Sequence, residues 1–415
     1  MHALGLLARR GRRLMALALY GALVLAASGC ASPPPAPRET PLVLQPRPTA
    51  VPTPLPSPVV ELRPLADEPV RSGQPVTPVA APPGPAFIGL LLPTQSKTWR
   101  AAAEAVRAGA LAAERALAVP GAPPLQTIDT SDNEQDILGA FQRAQAQGAV
   151  AVIGPLTKGA VSYLGDSAQF DFPVIALNNF SEETLRRPNL YSFNLSLEYE
   201  ARQAVRFVAD QGANRPVVVV AGGVLARRMA QGFSEGWREE RNGQPLLVQV
   251  EGNDFAQVRE RVAAAGGDAV FLAADSRMAR RIRPFLGNEL PVFSSSQIDP
   301  GNLGPAALVD LAGIRFLDMP WLANPGDPTY DFYRRTRSRS NDIERLFAMG
   351  VDAYRLALAL LEKQPAQVYI ADGLTGRLSI AADGTVLREL VPRSLTASHT
   401  DLPEAPPPVE PLPAL

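Results

Sequence analysis

From residue 86 onward, short apolar runs alternate with stretches whose apolar residues recur every three or four positions. Phe87–Leu92 is an unbroken apolar run that stops at Pro93, the pattern of a strand covered on both faces. Thr94 to Thr98 is polar, and Ser96 or Thr98 is placed to cap a following helix. Trp99, Ala103, Val106, Ala110, Ala113 and Leu117 then fall on one helical face. The unit repeats. Strands are predicted at 125–129, 150–153 and 174–177, with helices near 99–117, 134–147 and 159–169 between them. A short extended piece at 189–194 leads to a helix at 198–211.

A second series follows, with strands at 217–221, 246–250, 269–273, 292–295 and 314–317 and helices near 226–241, 255–264 and 276–286. Two tandem βα series imply two parallel sheets, and hence two Rossmann-like lobes of an α/β protein. Helices are predicted over 328–340 and 343–362, the second with a wide apolar stripe. Residues 373–390 read as a hairpin turning at Asp383-Gly384.

The chain ahead of this body has a different texture. Arg9, Arg10, Arg12 and Arg13 precede an apolar stretch from Leu14 to Ala27, which ends in Leu-Ala-Ala-Ser-Gly-Cys. That is the pattern of a lipoprotein signal peptide over 1–29 with Cys30 as the lipid anchor; the alternative is an ordinary export signal with a chance cysteine. Ala31 after the cysteine, where an aspartate is absent, favours the outer membrane. Residues 30–85 form a proline-rich tether, too poor in apolar surface to fold. Extended at polyproline spacing it reaches roughly 170 Å, which suits holding the body away from its membrane. The tail over 398–415 is again proline-rich.

Composition narrows the chemistry. The formal net charge of −1 gives no pull toward nucleic acid. Cys30 is the only cysteine, and His2 and His399 are the only histidines. A Ser-His-Asp triad or a histidine-bound zinc needs more than that, so no catalysis, metal or cofactor is expected. Glu198 and Glu200 lie two apart and read as first-turn helix charges rather than an acid–base pair. The arginines at 277, 280, 281 and 283, and at 334, 335, 337 and 339, read as solvated helix faces, with an acidic partner surface as the alternative.

Several stretches together resemble one family. IGLLLP (88–93), AVIGPLTKGAV (151–161), PVIALNN (173–179), YSFNLSLEYEARQAV (191–205), FAMGVDAYRLA (347–357) and the 373–390 hairpin are similar to the penicillin-binding protein activator lipoproteins of the LppC/LpoA type. The resemblance implies a type I periplasmic-binding-protein-like fold over 86–397. Lobe 1 would hold about 86–195 and 319–370, and lobe 2 about 196–318 and 371–397. It also implies an outer-membrane lipoprotein, facing the periplasm, that binds and activates a class A penicillin-binding protein, a peptidoglycan synthase, without catalysis of its own. Longer members carry a helical-repeat domain where this sequence has its tether. The other reading is a lipid-anchored solute receptor for an amino acid or similar small ligand.

In such a fold, ligands bind beyond the carboxyl ends of the strands, between the lobes. The candidate cleft residues on the first lobe are Thr94 and Ser96, then Gly154, Pro155 and Thr157, then Asn178 and Asn179. On the second lobe they are Gly222, Asp275 and Ser296. Hydroxyls, amides and helix N-termini there suit an anionic or zwitterionic ligand; the alternative is a cleft inherited from a binding protein and now used as structure.

Overall fold

Strand β1 (Phe87–Leu92) has all six residues buried, as an interior strand of a parallel sheet must. Its side chains alternate between two apolar layers. Ile88, Leu90 and Leu92 face one core, while Phe87 and Leu91 face another with Ile137 and Phe141. The computed structural model describes residues 84–397, apart from 118, 181–186, 251, 253–254 and 334–335. The expected leader, Cys30, the tether up to residue 83, the tail, Arg334 and Arg335 lie outside the described residues.

The first sheet has five parallel strands in the order β2-β1-β3-β4-β5. They are β2 (Leu125–Asp129), β3 (Ala149–Ile153), β4 (Val174–Ala176) and β5 (Leu190–Ser192) beside β1. Helices α1 (Arg100–Leu117), α2 (Glu134–Ala146) and α3 (Lys158–Ser167) make the crossovers. The chain then enters α4 (Leu197–Asp210) and builds β6 (Pro216–Val220), α5 (Val224–Arg241), β7 (Leu246–Gln249) and α6 (Ala256–Ala265). It continues through β8 (Ala269–Ala273), α7 (Ser276–Leu286), β9 (Val292–Ser294), α8 (Pro305–Leu311) and β10 (Arg315–Asp318). A short α9 (Pro320–Ala323) leads back to the long α10 (Asn341–Glu362), which lies on α1. The chain ends in β11 (Tyr369–Ile370), β12 (Arg377–Ile380), β13 (Val386–Glu389) and β14 (Val391–Ser394). The second sheet runs β14-β10-β9-β8-β6-β7, all parallel except β14. The two parallel sheets are those the apolar runs predict.

Three expectations are corrected. Of the helix predicted over 328–340, the described residues form a 3-10 stretch, Pro328–Tyr333, and chain without regular secondary structure over 336–340. The side chain of Arg337 explains it: the guanidinium stacks 4.5 Å from the Trp321 ring centre and donates to the Trp321 carbonyl. The Ser338 N–H donates to Glu344 at 2.6 Å, so this backbone is spent on tertiary contacts. Trp99, placed on the apolar stripe of α1, stands just before the helix and is 42% exposed. Residues 371–397 do not form one piece of the second lobe. The β12–β13 hairpin, with a turn through Asp383-Gly384, bridges Ser192 of β5 at Thr385, and Asp352 of α10 accepts from the N–H groups of Leu374 and Thr375. Only β14 joins the second sheet, as an edge strand, where Pro392 is tolerated.

The α1–α10 contact is as close as two backbones allow. A Cβ built on Gly109 would meet the Phe347 carbonyl oxygen at 2.0 Å, and one on Gly350 would meet that of Val106 at 2.0 Å. Neither side can yield, because both obstacles are helical backbone. Gly350→Ala is expected to destabilise the protein by about 3 kcal/mol or more, at the upper end for an overpacked core. Urea unfolding measures it; unchanged or raised stability, as alanine's better helix propensity alone would give, would refute the contact.

Candidate functional site

The loops expected to line the cleft are largely satisfied within themselves. Ser96 is 3% exposed and accepts from the N–H groups of Thr98 and Trp99, closing the turn into α1; its hydroxyl also reaches Asp132 at 3.1 Å. Thr94 donates to Asp129 at the end of β2. Gly154, which precedes Pro155 in a cis peptide, donates to the Ile175 carbonyl, and the Pro155 carbonyl accepts from Leu177. Asn178 donates to the Leu156 carbonyl at 2.9 Å and accepts from the Asn179 N–H. These four residues therefore come together as one β3–β4 loop cluster. Thr157 caps α3 and Asp275 caps α7, each by accepting a backbone N–H. Gly222 sits in open space before α5.

Ser296 has another role. Its N–H and hydroxyl both donate to Glu200, at 2.5 and 2.9 Å, and its carbonyl accepts from Arg345 at 3.1 Å. Glu200 is not a solvated first-turn charge. It is 8% exposed, whereas Glu198 stays at the surface and pairs with Arg228 of α5. The signal was present in the helix period: counting back in fours from Val208 and Ala204, both buried, reaches Glu200.

Around this pair runs a buried charge network at the hinge, where the chain passes between lobes. Arg345 reaches out of α10 of the first lobe and binds Asp318 of β10 through Nε at 3.2 Å and Nη2 at 2.9 Å. Its Nη1 holds Asp342 on its own helix. Arg393 of β14 binds Asp318 from the other side at 3.0 Å and Asp299 at 3.1 Å. Burial pushes Asp318 toward protonation, but Arg345 and Arg393 outweigh it and hold its carboxyl below the usual range. Glu200 goes the other way. Burial, with the neighbouring Asp318 charge, pushes it up to about 7 against the hydrogen bonds from Ser296. The arrangement joins the lobes by a charged strut. Among the described residues, no group of three or more His, Cys, Asp or Glu side chains is placed to hold a metal ion.

With this geometry the chain can be set beside known proteins. The family profile described as "LppC putative lipoprotein" matches residues 84–262 and 247–393, nearly all of the folded body. The chain belongs to the LppC lipoprotein family. Named relatives include the penicillin-binding protein activator LpoA of Pectobacterium parmentieri, 27% identical over 321 residues, covering 64% of this chain and 46% of that protein. The LpoA of Edwardsiella piscicida is 29% identical over 319 residues, covering 66% and 45%. The LppC-family chain thus spans about half the length of these relatives. Among solved structures it is similar to the C-domain of Haemophilus influenzae LpoA, titled a regulator of PBP1A, with TM-score 0.64 and 25% identity over 75% of this chain and 97% of that one. It is also similar to a "putative branched-chain amino acid ABC transporter" of Chromobacterium violaceum, with TM-score 0.66 and 34% identity over 74% of this chain and 99% of that one. The type I periplasmic-binding-protein-like fold follows from both.

The raised Glu200 pKa has a measurable sign. Between about 4.5 and about 7 the folded protein keeps a proton that the unfolded chain has released, so stability falls as pH rises through that window. Glu200→Gln removes the titration. The unfolding free energy of the native protein relative to this variant is expected to drop by about 3 kcal/mol between pH 4.5 and pH 8. Parallel urea-unfolding curves across that range would show that Glu200 does not titrate there.

Proposed function

We propose that this protein is a non-catalytic activator of a class A penicillin-binding protein, a peptidoglycan synthase. The observation that carries the reading is the LppC-family match across 84–393, together with the LpoA C-domain being matched over 97% of its length. The body is then the part that engages the synthase. Cys30 is the lipid anchor at the periplasmic face of the outer membrane, and residues 31–85 are the spacer that lets the body reach an inner-membrane enzyme. Activation of this kind needs the body to bind one state of the synthase more tightly than another.

A second reading is favoured by the 34% identity to the Chromobacterium violaceum chain: a lipid-anchored receptor for an amino acid. Against it, the polar groups of the expected cleft loops at Ser96, Asn178 and Asp275 are engaged in their own turns and caps.

Reconstitution separates the two. Added to a class A synthase from its own organism, the purified protein is expected to raise the polymerisation rate several-fold and to show no wall-degrading activity alone. Absence of both binding and rate change, combined with thermal stabilisation by leucine, isoleucine or valine, would replace the activator reading with the receptor. Cys30→Ser is expected to move the protein from the membrane fraction to the soluble periplasm; continued membrane association would remove the lipid anchor from the proposal.

A further inference from the structure

A cavity of about 330 Å³ opens at the hinge, beside the charge network. Leu195, Leu197, Met319, Leu346 and Leu390 supply its apolar wall. Glu200, Asp318, Arg345 and Arg388 close its floor, and Asp342 and Arg228, both substantially exposed, stand at the rim. The volume falls within the range of small-molecule sites, and the lining mixes apolar surface with a few fixed charges as such sites do.

Arg388 is the side chain that the fold itself leaves unexplained. It projects from β13 and is 3% exposed. Its guanidinium makes one long hydrogen bond, Nη1 to the Thr375 carbonyl at 3.4 Å. Among the described residues it has no carboxylate partner, whereas Arg345 and Arg393 share Asp318, and Arg393 also has Asp299. The carboxylate across the cavity, Glu200, is already committed to Ser296 through both oxygens. A buried guanidinium with no carboxylate in contact is costly, and burial outweighs the more distant charges of Glu200, Asp352 and Asp318 in pushing the Arg388 pKa down. An anion in the cavity removes that cost.

We infer that the hinge cavity binds a small monocarboxylate with an apolar body, its carboxylate held by Arg388 and its body lying against Leu195, Met319 and Leu346. The carboxylate matches the fork of the guanidinium, and a charge-assisted bidentate pair is among the stronger polar contacts available. A doubly charged anion such as phosphate is disfavoured, because Glu200, Asp318 and Asp342 share the walls. The site takes in none of the first-lobe loops of the expected cleft; it lies at the ends of β9 and β10, and of the expected cleft residues only Ser296 borders it. Three separate parts of the chain meet there, α4 of the second lobe, α10 of the first and the β12–β13 hairpin, so a ligand would bridge the lobes. The inference stands or falls independently of the activator reading.

The test is titration of the full-length protein with acetate, isovalerate and phenylacetate, and with isovaleramide as the uncharged isostere of isovalerate. Calorimetry gives affinity, and methyl NMR of Leu195, Met319 and Leu346 gives location. Isovalerate or phenylacetate is expected to bind in the millimolar range or tighter and to shift those methyls. The amide is expected to bind at least about tenfold more weakly, as is isovalerate to Arg388→Met, while Arg377→Gln, which alters an exposed pair, keeps native affinity. Failure of all three carboxylates to bind, equal binding of acid and amide, or undiminished binding to Arg388→Met would each overturn the inference. Should Arg388→Met fail to fold, Leu346→Phe fills the cavity from a partly buried position and leaves the charges intact. Loss of isovalerate binding is then expected, and retained binding overturns the site.

Discussion

The link between Arg345 and Asp318 is the constraint on which the two-lobed arrangement depends. Each lobe builds its own sheet and could bury its own apolar faces. Beside an apolar core that runs through both, what orients one against the other is a guanidinium from α10 driven into the second lobe, where it meets a carboxylate only 1% exposed. Two charges in such a place repay their desolvation only if their remaining hydrogen-bonding capacity is used. Here it is: Arg345 also binds Asp342 and the Ser296 carbonyl, and Asp318 also accepts from Arg393 and the Met319 N–H. The strut is therefore directional, and it ties every element that borders the hinge to one geometry.

Around that strut the fold divides labour between apolar and polar ends. The sheets and helices are held by close apolar packing, with small residues on α1 letting α10 approach. The hinge is held by charge. The loops that resemble a solute-binding cleft are engaged with themselves, while open volume and a guanidinium with no carboxylate in contact occur together at the hinge. A regulator that must favour one shape of a partner needs a body whose own shape is well defined. A charged hinge adds that definition to an apolar core that runs continuously through both lobes.

Much of the fold was legible in the chain because parallel strands buried on both faces read as continuous apolar runs. Phe87–Leu92 and Ala269–Ala273, every residue buried, fall where those runs fall. What was hidden had physical reasons. Strand β14 contains Pro392 and half-exposed positions, and it pairs only because β10 offers an edge. The segment after Tyr333 carries a helical pattern, but Arg337 and Ser338 are drawn to Trp321 and Glu344. The charge network was not read as such, although Ser296 was expected at the cleft and Glu200 as a helix charge. Its members stand at 200, 296, 299, 318, 342, 345 and 393, far apart in the chain, and only the chain's repeated passage between lobes gathers them. Glu200 alone left a trace, in its helical spacing.

The backbone contact at Gly109 and Gly350 has a mechanical consequence. With carbonyls of each helix pressed against the other's glycine, α1 and α10 can neither slide nor roll without collision. They behave as a single beam that carries the whole first sheet. Relative rotation of the lobes must then be taken up where the chain crosses between them, near Phe193–Leu197, Asp318–Pro320 and Leu390–Val391. Those crossings surround the hinge cavity, so whatever occupies that space acts at the axle of the molecule.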